Sequence, residues 1–147
     1  MDSAIEKFKV KGAIYLWKYL SKQNSYPGWN ITADKEGCDS LSALMTVMEN
    51  SDFPSKKSLR TERPIKQVKV ANQTSTFGTL QFLTLRYIKE EMNNWVIEEG
   101  ENELVVLFGG KKLIELKRAI NNVRDGQGDF SISDDKGENI LYFWWHL

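Results

Sequence analysis

Apolar and polar residues follow two different periods along this chain. Near the N-terminus, apolar side chains recur over Ile5–Leu20 at the spacing of one helix face. Ser3 and Glu6 have the spacing of a capping box, in which two side chains bond each other's backbone N–H groups. The pattern predicts a helix that begins at Ser3 and ends before Asn24. Gly12 interrupts it and indicates either a break or a point of close packing.

Two more helices are predicted further along. Trp29–Ala33 is typical of a short strand and residues 34–37 of a turn, after which Asp39 or Ser40 provides an N-cap. The apolar face of the helix that follows consists of Leu41, Leu44, Met45 and Met48. The third helix is predicted over Lys111–Arg124, with Gly126 in the position of a C-terminal glycine. Its apolar stripe consists of Leu113, Leu116, Ile120 and Val123.

Several segments show the period of a strand. They cover residues 29–33, 65–70, 80–88, 95–97, 104–108, 129–133 and 140–147. Both alternating sets of the last segment are apolar, which is expected of a strand inside a sheet. Together these elements predict one α+β domain over residues 1–147. We expect a mostly antiparallel sheet of about five to seven strands, about three helices, and the first helix packed on a sheet face.

Composition excludes several classes of protein. The 147 residues are 41% hydrophobic and 27% charged, which is enough apolar material for a core and argues against disorder. No apolar run approaches the roughly 18 residues of a membrane span, and the first residues lack the apolar stretch of a secretory signal. The single cysteine cannot form an internal disulfide. We therefore expect a cytoplasmic protein.

The net charge is zero, but the charges are segregated. Six basic residues and one acidic residue lie between Pro54 and Val70, whereas six glutamates and no basic residue lie between Glu90 and Glu103. The basic stretch is typical of a nucleic-acid patch, near which Phe53 could stack on a base, or of a solvated edge strand. The acidic stretch is typical of a surface that binds a basic protein, or of a solvated turn between strands.

Candidate catalytic chemistry is sparse. Cys38 precedes a predicted helix whose dipole could lower its pKa, and a dyad with His146, the only histidine, is the one nucleophilic arrangement available. Two cysteine or histidine side chains in total do not make a zinc site. The sequence 108–112, Phe-Gly-Gly-Lys-Lys, fits either an anion cradle or a tight turn. The aspartates near the C-terminus do not follow a calcium-loop pattern; they are Asp125, Asp129, Asp134 and Asp135. No cofactor or metal is predicted.

The chain resembles small bacterial immunity proteins, which neutralise secreted toxins by direct binding. The stretches that carry this resemblance are residues 29–34 (WNITAD), 126–132 (GQGDFSI) and 141–145 (LYFWW). The resemblance is one of size, tryptophan-rich strands and clustered acids rather than of a diagnostic motif. It implies a non-enzymatic inhibitor that binds a cognate toxin, and an acidic surface would suit a basic toxin such as a nuclease.

The charge pattern and this resemblance together define a predicted contact surface. Its residues are Trp95, Glu98, Glu99, Glu101 and Glu103. A partner with an acidic surface would instead favour the basic stretch, represented by Lys56, Lys57, Arg60, Arg63 and Lys66. Two other functions stay open from the sequence. The basic stretch could bind nucleic acid or a small ligand, and a pair of carboxylates could act in a hydrolase.

Overall fold

A computed structural model describes residues 3–19, 28–62, 77–127 and 130–144 of the chain. They contain three helices, α1 (Ser3–Lys7), α2 (Lys35–Glu49) and α3 (Gly110–Arg124). They also contain nine strands. These are β1 (Ile14–Tyr19), β2 (Trp29–Ala33), β3 (Ser55–Arg60), β4 (Phe77–Gly78), β5 (Phe82–Tyr87), β6 (Trp95–Glu99), β7 (Glu103–Phe108), β8 (Phe130–Ser133) and β9 (Ile140–Phe143).

The strands form two sheets. Sheet A has the order β4-β1-β2-β9-β8, and sheet B has the order β3-β5-β7-β6. Within the described residues each sheet has one parallel pair, β2 with β9 and β5 with β7, and its other pairs are antiparallel. The predicted α+β class is confirmed, and so is the internal place of the last strand, β9. The strands are more numerous than predicted and are divided between two sheets.

One cluster of buried side chains joins both sheets to the helices. Helices α2 and α3 pack on each other, and two ion pairs show how they are aligned. Arg124, at the end of α3, lies 2.9 Å from the carboxylate of Asp39, near the start of α2. Lys117 lies 3.4 Å from Glu49, the last residue of α2. The two helices therefore run in roughly opposite directions, and these part-exposed ion pairs each contribute less than about 1 kcal/mol.

The predicted N-terminal helix is wrong over most of its length. Helix α1 ends at Lys7, and β1 occupies Ile14–Tyr19. Gly12 has φ = +80°, and a Cβ at this position would lie 2.2 Å from the backbone nitrogen of Gly37, so both interpretations of this glycine hold. The helical stripe misled because β1 carries large apolar residues on both of its faces, and such a run fits either period.

The start of α2 also differs from the prediction, which placed its N-cap at Asp39 or Ser40. The cap is Asp34, whose side chain accepts a hydrogen bond from the Gly37 N–H at 2.7 Å. The same Oδ1 atom accepts the Ala13 N–H at 3.0 Å, so one carboxylate begins α2 and also holds the chain that enters β1. The four residues predicted as a turn are thus the cap and first turn of the helix.

Other predicted elements are confirmed where the structure describes them. Strand β2 has the predicted bounds, α3 begins one residue before its predicted start, and Gly126 follows it with φ = +77°. The hairpin of β8 and β9 is also present. The predicted strand over residues 65–70 lies outside the described residues.

Candidate functional site

The hairpin of β6 and β7 gathers the predicted acidic residues at one end of sheet B. Glu99 is paired in register with Leu104, and the Gly100 N–H donates to the Glu103 carbonyl oxygen at 2.8 Å, which closes the turn. Four glutamates therefore lie within a few residues of a single turn. We call this region the acidic tip; its members are Glu98, Glu99, Glu101 and Glu103.

The four carboxylates of the acidic tip have different surroundings. Glu98 and Glu101 are exposed, and no basic side chain of the described residues forms an ion pair with either. Glu99 Oε1 lies 3.0 Å from the Lys18 ammonium and accepts the Trp29 indole N–H at 3.0 Å. Glu103 accepts a hydrogen bond from the Thr84 hydroxyl at 2.8 Å. Among the described residues, the acidic tip thus presents two carboxylates without an ion pair and two that are already bonded within the fold.

Trp95 does not belong to this surface. Only 2% of the residue is exposed, and its indole N–H donates to the Asn139 carbonyl oxygen at 2.9 Å. The prediction that Trp95 anchors a partner is therefore wrong for this structure. Trp95 packs in the core, and the acidic stretch contributes only its carboxylates to the surface.

A polar cleft of about 350 Å³ lies beside the acidic tip, where the two sheets meet the turn between β8 and β9. Sheet A contributes one basic side chain and one indole, sheet B contributes Glu99, and the turn contributes a second glutamate. The lining residues are Lys18, Gly28, Trp29, Ile97, Glu99, Glu138, Asn139 and Ile140. We call this feature the inter-sheet cleft. Its lining is mostly polar, with two carboxylates and one ammonium group beside the aliphatic side chains of Ile97 and Ile140.

Asn139 holds the inter-sheet cleft together. Its Oδ1 accepts the Ile97 N–H of β6 at 3.0 Å, and its Nδ2 donates to Asp134 Oδ2 at 2.7 Å. Asp134 Oδ1 in turn accepts the Glu138 N–H at 2.8 Å. The hydrogen bond from Asn139, followed by those of the turn backbone, lowers the pKa of Asp134 below its ordinary value of 3.8. The turn is therefore fixed by its own carboxylate and linked to sheet B through Asn139, whose side chain bonds Ile97 and whose carbonyl oxygen bonds Trp95.

The predicted basic surface is divided by the alternation of β3. This strand lies at the edge of sheet B, and the exposed residues Lys56 and Arg60 share its outer face. Lys57 points to the opposite face, where its ammonium donates to the Glu6 carbonyl oxygen at 3.1 Å. Arg63 and Lys66 lie outside the described residues. The part that is described thus has the placement of a charged edge strand, the alternative interpretation of this stretch.

The nucleophile and anion-site hypotheses receive no support from the described residues. Burial, followed by the nearby carboxylates of Asp34 and Asp39, raises the pKa of the Cys38 thiol to about 12, which opposes the lowering that a helix dipole would give. His146 lies outside the described residues. At the start of α3, a Cβ on Gly109 would lie 1.5 Å from the Glu91 carbonyl oxygen. Gly109 therefore permits a close backbone approach, as the tight-turn alternative requires.

At the start of α3, backbone N–H groups that could bind an anion are already hydrogen-bonded to backbone carbonyl oxygens. The Gly109 N–H donates to the Asn94 carbonyl oxygen, and the Lys111 N–H donates to that of Met92, both at 3.0 Å.

Among the described residues, no group of three or more histidine, cysteine, aspartate or glutamate side chains is placed to hold a metal ion. In the same part of the chain, no helix has both the length and the apolar character that crossing a membrane requires.

Comparison with known proteins finds no matching family model, no matching curated protein and no matching solved structure. The function is therefore inferred from the site itself. Charge counting identifies the acidic tip but not the inter-sheet cleft, whose other lining residues come from β1, the start of β2 with the glycine before it, the turn before β9 and the first residue of β9. Only the folded arrangement brings these segments together with β6.

Proposed function

We propose that this protein is a non-enzymatic binding protein that neutralises a basic protein partner, a bacterial toxin, by direct contact through the acidic tip. The observation that carries the proposal is the pair of exposed carboxylates of Glu98 and Glu101, which form no ion pair with a described residue and are held on a hairpin beside the inter-sheet cleft. Carboxylates that the fold does not neutralise attract a basic partner over several ångströms and speed its docking.

The geometry supports a contact role better than a hydrolytic one. A hydrolase with two carboxylates needs one of them held as an acid, away from water and from cations. In the inter-sheet cleft, Glu99 is bonded to Lys18 and to Trp29, while Glu138 lies exposed on a turn. Neither glutamate has the apolar enclosure that a general acid requires. We therefore propose that the acidic tip binds and does not catalyse.

The test is affinity capture from cells of the source organism, followed by purification of the captured protein and measurement of its association rate constant. We expect a basic protein whose association with the double variant Glu98→Lys/Glu101→Lys is slower by about tenfold or more at low salt. The matched control is Asp52→Lys/Glu90→Lys, which changes the net charge equally at the other end of sheet B; both replaced residues are exposed. We expect less than about a twofold change for this control.

Nucleic acid is the alternative ligand that the same material can test. If RNA or DNA binds with a steep salt dependence, and Lys56→Glu/Arg60→Glu abolishes that binding, the basic face of β3 is the functional surface and the proposal is contradicted. Failure of the purified wild-type chain to bind any basic protein would also contradict it. A melting temperature unchanged from that of the wild type shows that each variant is folded.

A further inference from the structure

The inter-sheet cleft places aliphatic side chains and charged groups around one space, as a binding site for a single side chain does. Two isoleucines, Ile97 and Ile140, are half-buried in its lining, and Trp29 is only 6% exposed, with its indole N–H bonded to Glu99. The volume of about 350 Å³ is large enough for one long side chain. A polar cleft in which two aliphatic side chains lie beside charged groups suits a ligand that has an apolar stem and a charged head.

The margin of the inter-sheet cleft has unused hydrogen-bond acceptors. Lys18 and Trp29 both bond to Glu99 Oε1, and within the described part of the chain Glu99 Oε2 has no hydrogen-bond partner. The Glu138 carboxylate likewise has no partner there, since only its backbone N–H is bonded. Two acceptors from different elements, one on β6 and one on the turn before β9, therefore face the same space.

We propose that the inter-sheet cleft receives an arginine side chain of the basic partner. This inference rests on the proposed function, because the acidic tip would bring the partner to the cleft. A guanidinium group has five donors in one plane and can bond two carboxylates at once, which a lysine ammonium does less well. The aliphatic stem of arginine can also lie along apolar side chains while the charged head stays at the polar margin. Arginine thus suits both the isoleucines and the two acceptors of the cleft.

The experiment uses the chain alone and a defined probe, N-acetyl-L-arginine amide. The indole N–H signal of Trp29 in a ¹H–¹⁵N correlation spectrum reports directly on the cleft, because this group bonds Glu99. We expect a saturable shift with a dissociation constant on the order of millimolar, as for a single anchoring side chain. N-acetyl-L-citrulline amide has nearly the same shape without the charge, and we expect no saturable shift with it.

Two substitutions should change the affinity in opposite directions. Glu138→Gln removes one carboxylate and should weaken probe binding by about fivefold or more. Lys18→Met removes the cation that competes for Glu99 and should tighten binding by about two- to fivefold. Lys136→Met is the matched control, since it removes a positive charge from the same turn at a residue outside the lining, and it should leave the affinity within about twofold.

The arginine proposal is overturned by the absence of a saturable shift of the Trp29 signal, by equal binding of the citrulline probe, or by unchanged affinity in Lys18→Met. Each of these outcomes leaves the acidic tip to be judged separately by Glu98→Lys/Glu101→Lys. Conversely, saturable arginine binding in a chain that captures no basic protein would support the cleft chemistry but contradict the proposed function. The two proposals can therefore fail independently.

Discussion

Asn139→Ala is the substitution that most directly tests how the inter-sheet cleft is built. The change removes the acceptor for the Ile97 N–H, at 3.0 Å, and the donor to Asp134, at 2.7 Å. The bond from the Trp95 indole uses the Asn139 backbone carbonyl and survives the substitution. The perturbation is therefore confined to the side chain that links the turn before β9 to the edge of sheet B.

The expected loss of stability follows from the Ile97 N–H. This donor is part-buried, and leaving it unsatisfied costs about 1–3 kcal/mol. We assign no energy to the bond with Asp134, because water can replace it at that solvent-facing carboxylate. The expected decrease in the free energy of unfolding is thus about 1–3 kcal/mol, a substantial part of the 5–15 kcal/mol typical of a domain.

Equilibrium unfolding in urea, followed by tryptophan fluorescence, measures this quantity. The denaturation midpoint should fall while the slope stays the same, because the surface exposed on unfolding does not change. Lys136→Ala is the control; it alters an exposed residue of the same turn and should stay within about 0.5 kcal/mol of the wild type. A similarly small effect of Asn139→Ala would refute the role of this amide as the link between the turn and sheet B.

Three further predictions concern other parts of the fold. Native Cys38, with its pKa raised from 9.0 to about 12, should react with a thiol reagent at pH 8 about 1000-fold more slowly than the unfolded chain; a rate like that of a free thiol would contradict its burial. Gly109→Ala should prevent folding or lower the free energy of unfolding by several kcal/mol, because its Cβ meets the Glu91 carbonyl oxygen. Gly126→Ala, in open space at φ = +77°, should lower it by only about 1 kcal/mol, and equal melting temperatures of the two variants would contradict this. Because the pKa of Asp134 is lowered in the folded chain, its contribution to stability is present above the ordinary value of 3.8 and is lost as the pH falls through the folded pKa. The difference in free energy of unfolding between the wild type and Asp134→Asn should therefore shrink in acid, and a difference that is independent of pH would contradict this.

The elements that could be predicted from the sequence are those with one apolar face. Helix α3 has an uninterrupted stripe and a glycine after its end, and its predicted position is confirmed to within one residue at its start. Strand β1 could not be predicted in this way, because Leu16 and Trp17 are both buried although they point to opposite faces. The second face of sheet A has its own buried cluster, in which the Trp144 indole N–H donates to Asn30 Oδ1 at 2.8 Å. The local period of a sequence does not show that a strand is buried on both of its faces.

Of the candidate site, only the clustered glutamates of the acidic tip could be predicted from the sequence. Glu98 and Glu101 lie at the same end of sheet B because one tight turn joins β6 to β7 between them. The inter-sheet cleft has no such signal, since Lys18 and Glu99 are 81 residues apart and meet only through the arrangement of the two sheets. Trp95 shows the converse error, in which a residue beside the acids was assigned to their surface although alternation directs it into the core.

The association rate constant of the captured basic protein, measured by biolayer interferometry at low and high salt, tests the central claim most directly. We expect fast association with the wild-type chain that slows as salt is added, and a rate lowered about tenfold or more by Glu98→Lys/Glu101→Lys but not by Asp52→Lys/Glu90→Lys. Equal rates for the two double variants, or association that does not depend on salt, would show that the acidic tip is not the surface that meets the partner.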